Sequence, residues 1–253
     1  MTALVHGSRA APCEDRSVHS RATPVAVVIA AMTEELSAVA TLLGGVVIDD
    51  GPVGGHDEHH LLDVDGAVVA LRRSGIGFTN ATAATAHCYH DFGAVPVLSV
   101  GTAGGLMRGI EIGDVVVGEH YVNINADATA FGYALGQVPG MPPQYAPDPR
   151  MLARAAAART PYRIRSATIG SSEVFVTEGR ARALREVFPA VAAVDMESAA
   201  IAQFAHVHDM PFLSIRGISD LCAPDGDEFR EHLDDASARA ARVAHDVLLD
   251  LAA

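Results

Sequence analysis

Residues 24–31, PVAVVIAA, form an unbroken apolar run rich in β-branched side chains. A run of this length suits a strand buried on both faces, and a sheet is buried on both faces when helices cover it. The pattern returns in VPVLSV (95–100) and GDVVVGEHYVNI (113–124), and over 163–171, 191–196 and 211–217. Between these runs lie segments with helical spacing: MTEELSAVATLL (32–43), an alanine-rich stretch after SGIG (74–77), and 149–158, 179–187, 197–207 and 228–252. Strands alternating with helices predict an α/β fold with a central mixed β-sheet flanked by helices. HHLLDVD and AVVALRRS add two strands joined at Asp65-Gly66, a hairpin signal. The glycines of 101–105 read as a tight turn closing the strand before them. Thr33 reads as the cap of the first helix, with Glu34 and Glu35 in its first turn. Along the last helix, Phe229, Leu233, Ala236, Ala240, Val243 and Leu248 mark a docking face.

Nothing in the order of these elements marks a linker, so residues 24–253 read as one unit. Residues 1–23 mix small, polar and charged residues without periodicity, and a flexible N-terminal extension is expected there. They contain no apolar run of signal-peptide length, and no segment is long enough to span a membrane. The formal net charge is −13 and the chain contains no lysine. Nucleic acid is therefore excluded as a partner, because phosphate backbones are held by clustered Lys and Arg. Cys13, Cys88 and Cys222 are three in number and far apart. An odd count without metal spacing reads as free thiols in a reducing, cytoplasmic setting. HDEHH (56–60) could suggest a metal, but beside a hairpin it reads as a solvated face, and no metal or cofactor is expected.

Ligands of open α/β sheets bind beyond the carboxyl ends of the strands. Those ends deliver Met32–Glu35, Ser74–Gly77, Gly101–Gly105, Ser171–Val176, Asp195–Glu197 and Arg216–Asp220. Small residues that admit a ligand to the backbone thus converge with several carboxylates, one arginine and hydroxyls. Such a set can run acid–base hydrolysis: one carboxyl group stays protonated as acid and another stays ionised to activate water. Asp220, between apolar neighbours, is the candidate acid, and Glu35 the candidate base. Glu197, at a helix start, is expected to be kept ionised by the dipole. Asp195 is expected to point away and to be structural. Taken singly, Asp220 reads as a cap or turn residue, Glu35 as a dipole partner and Phe175 as core; only their convergence argues for a site.

The motifs AMTEEL, SGIG, GTAGGL, IGDVVV, DATAFGY, GQVPG, VDMESAAIA and IRGISD occur here in one order. In that order the chain, from about residue 24 to about 250, resembles the 5′-methylthioadenosine/S-adenosylhomocysteine nucleosidases of the purine nucleoside phosphorylase-like superfamily. The resemblance implies hydrolysis of the N-glycosidic bond of an adenine nucleoside carrying a thio-substituted 5′ carbon, without metal or organic cofactor. It implies that Glu35 activates water, which Thr102, with Ala103 beside it, and Arg216 help to hold. Asp220 would protonate adenine N7, with Ser219 orienting it. Glu197 would accept the ribose hydroxyls above Met196. Phe175 would stack on adenine and the Val176 backbone would read its edge, while Ile76 and Ala128 would line the sugar and alkylthio side. It implies a homodimer in which Phe131, Tyr133 and Pro139, from the long loop 125–149, close the neighbour's pocket.

The same superfamily holds phosphorylases, which need arginines around phosphate. Val100 stands where those enzymes place an arginine, and Glu35 lies in a turn that is basic in them; an acidic pocket favours water. Two departures touch the 5′ side. SSEVF (171–175) replaces a more usual SGDAF, and LCAPDGDEF (221–229) is short and puts Gly226 or its neighbours where an aromatic lid is expected. A phosphorylase, an aminofutalosine-type nucleosidase and a non-catalytic nucleoside-binding protein are the alternatives.

Overall fold

The computed structural model describes residues 23–51 and 58–253. The extension 1–22 with Cys13, and His56 and Asp57 of HDEHH, lie outside the described residues. In chain order the elements are β1 (Ala26–Ala30), α1 (Thr33–Leu43), β2 (Val46–Asp50), β3 (His59–Val64), β4 (Ala67–Arg73), α2 (Phe78–Phe92), β5 (Val97–Gly105) and β6 (Val115–Asn123). After a long loop follow α3 (Pro149–Ala156), β7 (Ile164–Ser171), α4 (Glu178–Val187), β8 (Val191–Asp195), α5 (Ser198–Val207), β9 (Phe212–Asp220) and α6 (Asp227–Ala252).

The nine strands form one mixed sheet in the order β2-β3-β4-β1-β5-β8-β7-β6-β9. Strand β9 pairs with β6 and also, in parallel, with β5, so β5, β8, β7, β6 and β9 close on themselves. The apolar run that begins the fold behaves as a doubly buried strand should. Side chains alternate along β1, so Ala26, Val28 and Ala30 pack toward α1 and α6, while Val27 and Ile29 pack toward α2 and α5. The docking face of α6 is observed: Ala236, Ala240, Val243 and Leu248 are buried, and Phe229 and Leu233 are half-buried at its start. Cys88 and Cys222 are buried free thiols.

Four features differ from the sequence reading. Strand β2, absent from that reading, is an edge strand whose Val46, Val47 and Ile48 are exposed. The glycines of 101–105 are not a turn: β5 runs through them to Gly105. A Cβ on Gly101 would lie 2.5 Å from both Arg216 Nη1 and Glu35 Oε1, and one on Gly104 would lie 3.0 Å from Asp220 Oδ1. The strand is glycine-rich because charged side chains press against it. Strand β9 continues past 217 to Asp220, which makes Ser219 and Asp220 its last two residues rather than a helix cap. Thr33 is the first helical residue and not the cap; the cap position is Met32, and the Glu35 carboxylate folds back to accept from the Ala31 and Met32 N–H groups at 3.0 and 3.1 Å.

Candidate active site

The ends of β1, β5, β8 and β9 open into one cleft, whose lining includes the exposed Val174 and Phe175 and the half-buried Phe229. Each carboxylate in it is held by local structure. Glu34 turns to solvent, whereas Glu35 is buried. Glu35 Oε1 accepts from the Thr102 N–H at 2.8 Å and from its hydroxyl at 3.1 Å, so with Ala31 and Met32 both oxygens are doubly engaged. Burial pushes its pKa up, against the opposing pull of Arg216 and of these hydrogen bonds.

Asp220 is 3% exposed. Its Oδ2 accepts from the Ser219 hydroxyl at 2.9 Å and its Oδ1 from the Cys222 N–H at 2.9 Å. Burial raises its pKa, as a general acid requires. The third carboxylate, Glu197, accepts from the Gly77 N–H at 3.0 Å and faces Arg216 Nη2 at 3.7 Å. The expectation that the α5 dipole keeps it ionised is overturned. Its side chain makes no cap bond to the helix, and burial together with the Asp195 charge raises its pKa. Asp195 does the capping instead, accepting from the N–H groups of Glu197 and Ser198.

Arg216 is completely buried behind these groups. Its Nε donates to Asp195 at 2.8 Å and its Nη2 to the Ser99 hydroxyl at 2.8 Å. Among the described residues the cleft is lined by no arginine, lysine or histidine, and no cluster of His, Cys, Asp or Glu suits a metal. The cleft is thus an acidic, largely apolar chamber with three carboxyl groups of raised pKa, Glu35, Glu197 and Asp220. It can donate a proton at one side of a ligand and take one up at the other.

The phosphorylase superfamily model matches residues 25–252. A 5′-methylthioadenosine/S-adenosylhomocysteine nucleosidase of Actinobacillus succinogenes is 32% identical over 238 residues, covering 88% of this chain and 98% of the relative. One from Anoxybacillus flavithermus is 36% identical over 185 residues, covering 71% and 80%. The solved structure of the Neisseria meningitidis nucleosidase with methylthio-immucillin-A superposes with a TM-score of 0.82 at 34% identity, covering 89% of this chain and 98% of that one. The chain belongs to the 5′-methylthioadenosine/S-adenosylhomocysteine nucleosidase family. A futalosine hydrolase of Helicobacter pylori shares the fold at 25% identity and a TM-score of 0.82, covering 90% and 98%.

Most of the residues that the nucleosidase resemblance singled out meet in the cleft. Glu35, Thr102, Ala103, Ser219, Asp220, Met196, Glu197 and Val176 line it as buried or half-buried residues, and Ile76 and Phe175 line it where it is exposed. Five do not: Arg216 lies behind the wall, and Ala128, Phe131, Tyr133 and Pro139 lie outside the cleft of this chain, with Phe131 83% exposed. Two assignments change in detail. The Thr102 hydroxyl binds Glu35 itself, and Arg216 stands behind the wall rather than on it. Asp195, expected to point away, also borders the cleft, but its carboxylate turns to Arg216, Ser171 and Ser198; it parts from that of Glu197 because the backbone leaves the extended path at Glu197 (φ −136°, ψ −42°), whereas simple strand alternation would put residues two apart on one side. Sequence reading assigned Phe229 only to the docking face of α6. It also lines the cleft and meets Phe175 edge-to-face at 6.0 Å, supplying an aromatic three residues after Gly226. In HDEHH, Glu58 is buried and paired with Arg73 at 2.7 Å, not part of a solvated face. No helix of the described residues is long and apolar enough to cross a membrane.

Proposed function

We propose that this chain hydrolyses the N-glycosidic bond of 5′-methylthioadenosine, S-adenosylhomocysteine and related 5′-modified adenosines, releasing adenine. The observation that carries this reading is the meeting of Glu35, Glu197 and Asp220 in one cleft whose described lining holds no cation for phosphate. Departure of adenine leaves a sugar with oxocarbenium character, and an anionic purine is a poor leaving group. Asp220, its pKa raised by burial, holds the proton that N7 takes up, so adenine leaves neutral. Glu197 accepts the ribose hydroxyls and, when ionised, stabilises the positive sugar. Glu35 takes the proton of the attacking water. Because a carboxylate offers about four acceptor sites, and four donors already engage Glu35, the water shares one site with the Thr102 hydroxyl, the side-chain donor among the four. Phe175 and Phe229 supply aromatic surface for the base and the 5′ substituent.

The working unit in this reading comprises residues 24–253 and acts as a homodimer in the cytoplasm. Phe131, a large apolar side chain left almost wholly exposed, supports a partner surface on the 125–149 loop, with Tyr133 and Pro139 beside it and Ala128 at its base. Incubation with methylthioadenosine, S-adenosylhomocysteine, 5′-deoxyadenosine and an aminofutalosine-type nucleoside, read out as free adenine, tests the proposal. Release from the first two supports it. Release only from the aminofutalosine-type nucleoside transfers the activity to that substrate, and binding without any release makes the chain a nucleoside-binding protein.

A further inference from the structure

Asp195 takes no direct part in the reaction described, yet its buried carboxylate accepts five hydrogen bonds. Its Oδ2 accepts from Arg216 Nε at 2.8 Å and from the Ser198 hydroxyl; its Oδ1 accepts from the Ser171 hydroxyl at 2.5 Å and from two backbone N–H groups. The Arg216 guanidinium is thereby fixed at one edge. Its other edge is tied by Nη2 to Ser99 and lies 3.7 Å from Glu197, while Nη1 faces Glu35 across the space that Gly101 leaves empty. One arginine, aimed from behind, therefore serves both working carboxylates.

We propose that Asp195 is a positioning residue: it aims Arg216 between Glu35 and Glu197 and, through it, sets how strongly Glu197 holds the sugar. The inference rests on the nucleosidase reading. Glu197 is faced by Asp195 from β8, Arg216 from β9, Glu35 from α1 and the Gly77 N–H at the start of α2, with Glu173 on the other side of that turn; Asp220 of β9 stands across the cleft. Removing the Asp195 charge leaves Arg216 to act on Glu197 and Glu35 alone. The ionised form of Glu197 is then favoured at lower pH, and the acid limb of kcat/KM moves to lower pH. A residue that merely capped α5 would also shift that limb through its charge, but would change the melting temperature and leave kcat/KM at neutral pH where it was.

The test compares wild type, Asp195→Asn and Ser99→Ala of the full chain, with adenine release from methylthioadenosine followed from about pH 5 to about pH 9 and thermal melting alongside. Asp195→Asn is expected to lose roughly tenfold or more in kcat/KM at neutral pH, with its acid limb displaced downward. Ser99→Ala removes one of the two hydroxyl anchors of Arg216 Nη2, leaving the Ser198 hydroxyl at 3.3 Å, without touching Asp195 or its backbone cap; it is expected to lose kcat/KM severalfold and to melt somewhat lower for the lost buried bond. A folded Asp195→Asn with the wild-type kcat/KM at neutral pH overturns the proposal. If that variant does not fold, wild-type kcat/KM in Ser99→Ala overturns it. A wild type that releases no adenine overturns the nucleosidase reading and this inference together, a result distinct from an active wild type with unaffected variants.

Discussion

Replacing Asp220 by Asn removes a proton donor while keeping the shape of the side chain. The structure says how much else changes. The amide oxygen can still accept from the Cys222 N–H, now held at 2.9 Å by Oδ1. The amide nitrogen falls where Oδ2 accepts from Ser219, and it must donate there instead. The Ser219 hydroxyl can then accept, because it has a second acceptor of its own in the Ala103 carbonyl at 3.4 Å. The fold therefore loses at most about one neutral hydrogen bond, on the order of 1 kcal/mol. The chemical step loses general-acid assistance, typically about 10²–10⁴-fold, or roughly 2.7–5.4 kcal/mol of barrier. Steady-state release of adenine from methylthioadenosine should show that drop in kcat, while the dissociation constant measured by calorimetry stays within a fewfold of wild type. The alkaline limb of the wild-type rate, where Asp220 loses its proton above its raised pKa, should vanish in the variant. A kcat within a factor of a few of wild type would refute the assignment of Asp220 as the acid.

Glu197→Gln should split function from stability. A folded-state pKa raised above the unfolded value gives stability that is full below the unfolded value and is lost as pH rises through the folded one. The Gln variant does not titrate, so its melting temperature should gain on wild type as pH rises, while KM for the nucleoside increases roughly 10–100-fold, the loss of a charge-assisted bond; a gap in melting temperature that is constant with pH would contradict this. Gly101→Ala puts a methyl group 2.5 Å from two fixed charged atoms, and denaturant unfolding should show a loss of about 1–3 kcal/mol with a larger fall in kcat. Wild-type stability and rate in that variant would mean that the Glu35–Arg216 approach is not tight. Phe229→Ala removes the edge-to-face contact with Phe175, about 0.5–1.5 kcal/mol, and should raise KM roughly two- to tenfold, a change absent if Phe229 only docks α6.

The strand-and-helix order was legible because burial on both faces leaves β1, β5 and β6 as continuous apolar runs, and because α6 carries one apolar stripe. The three working carboxylates were legible as strand-end residues, and the family resemblance gave them roles. What was hidden depends on distant partners. Gly101–Gly105 looks like a turn until Glu35 and Arg216 are known to press on β5. The raised pKa of Glu197 could not be read from its place at a helix start, because the helix is capped by Asp195 and the charge of Asp195 acts in the opposite direction. Phe229 was legible as core and not as lining, since the short 221–226 segment that brings it to the cleft has no pattern of its own. β2 escaped notice because an exposed edge strand needs no alternation.

The central claim is that an acidic cleft, with Arg216 behind it committed to Asp195, Ser99 and Glu197, activates water and not phosphate. It is tested most directly by incubating the wild-type protein with methylthioadenosine in phosphate-free buffer and again with added phosphate, measuring adenine and identifying the sugar product by mass. The account predicts equal adenine release in both and a free methylthioribose. Release that requires phosphate and yields a sugar 1-phosphate would contradict it.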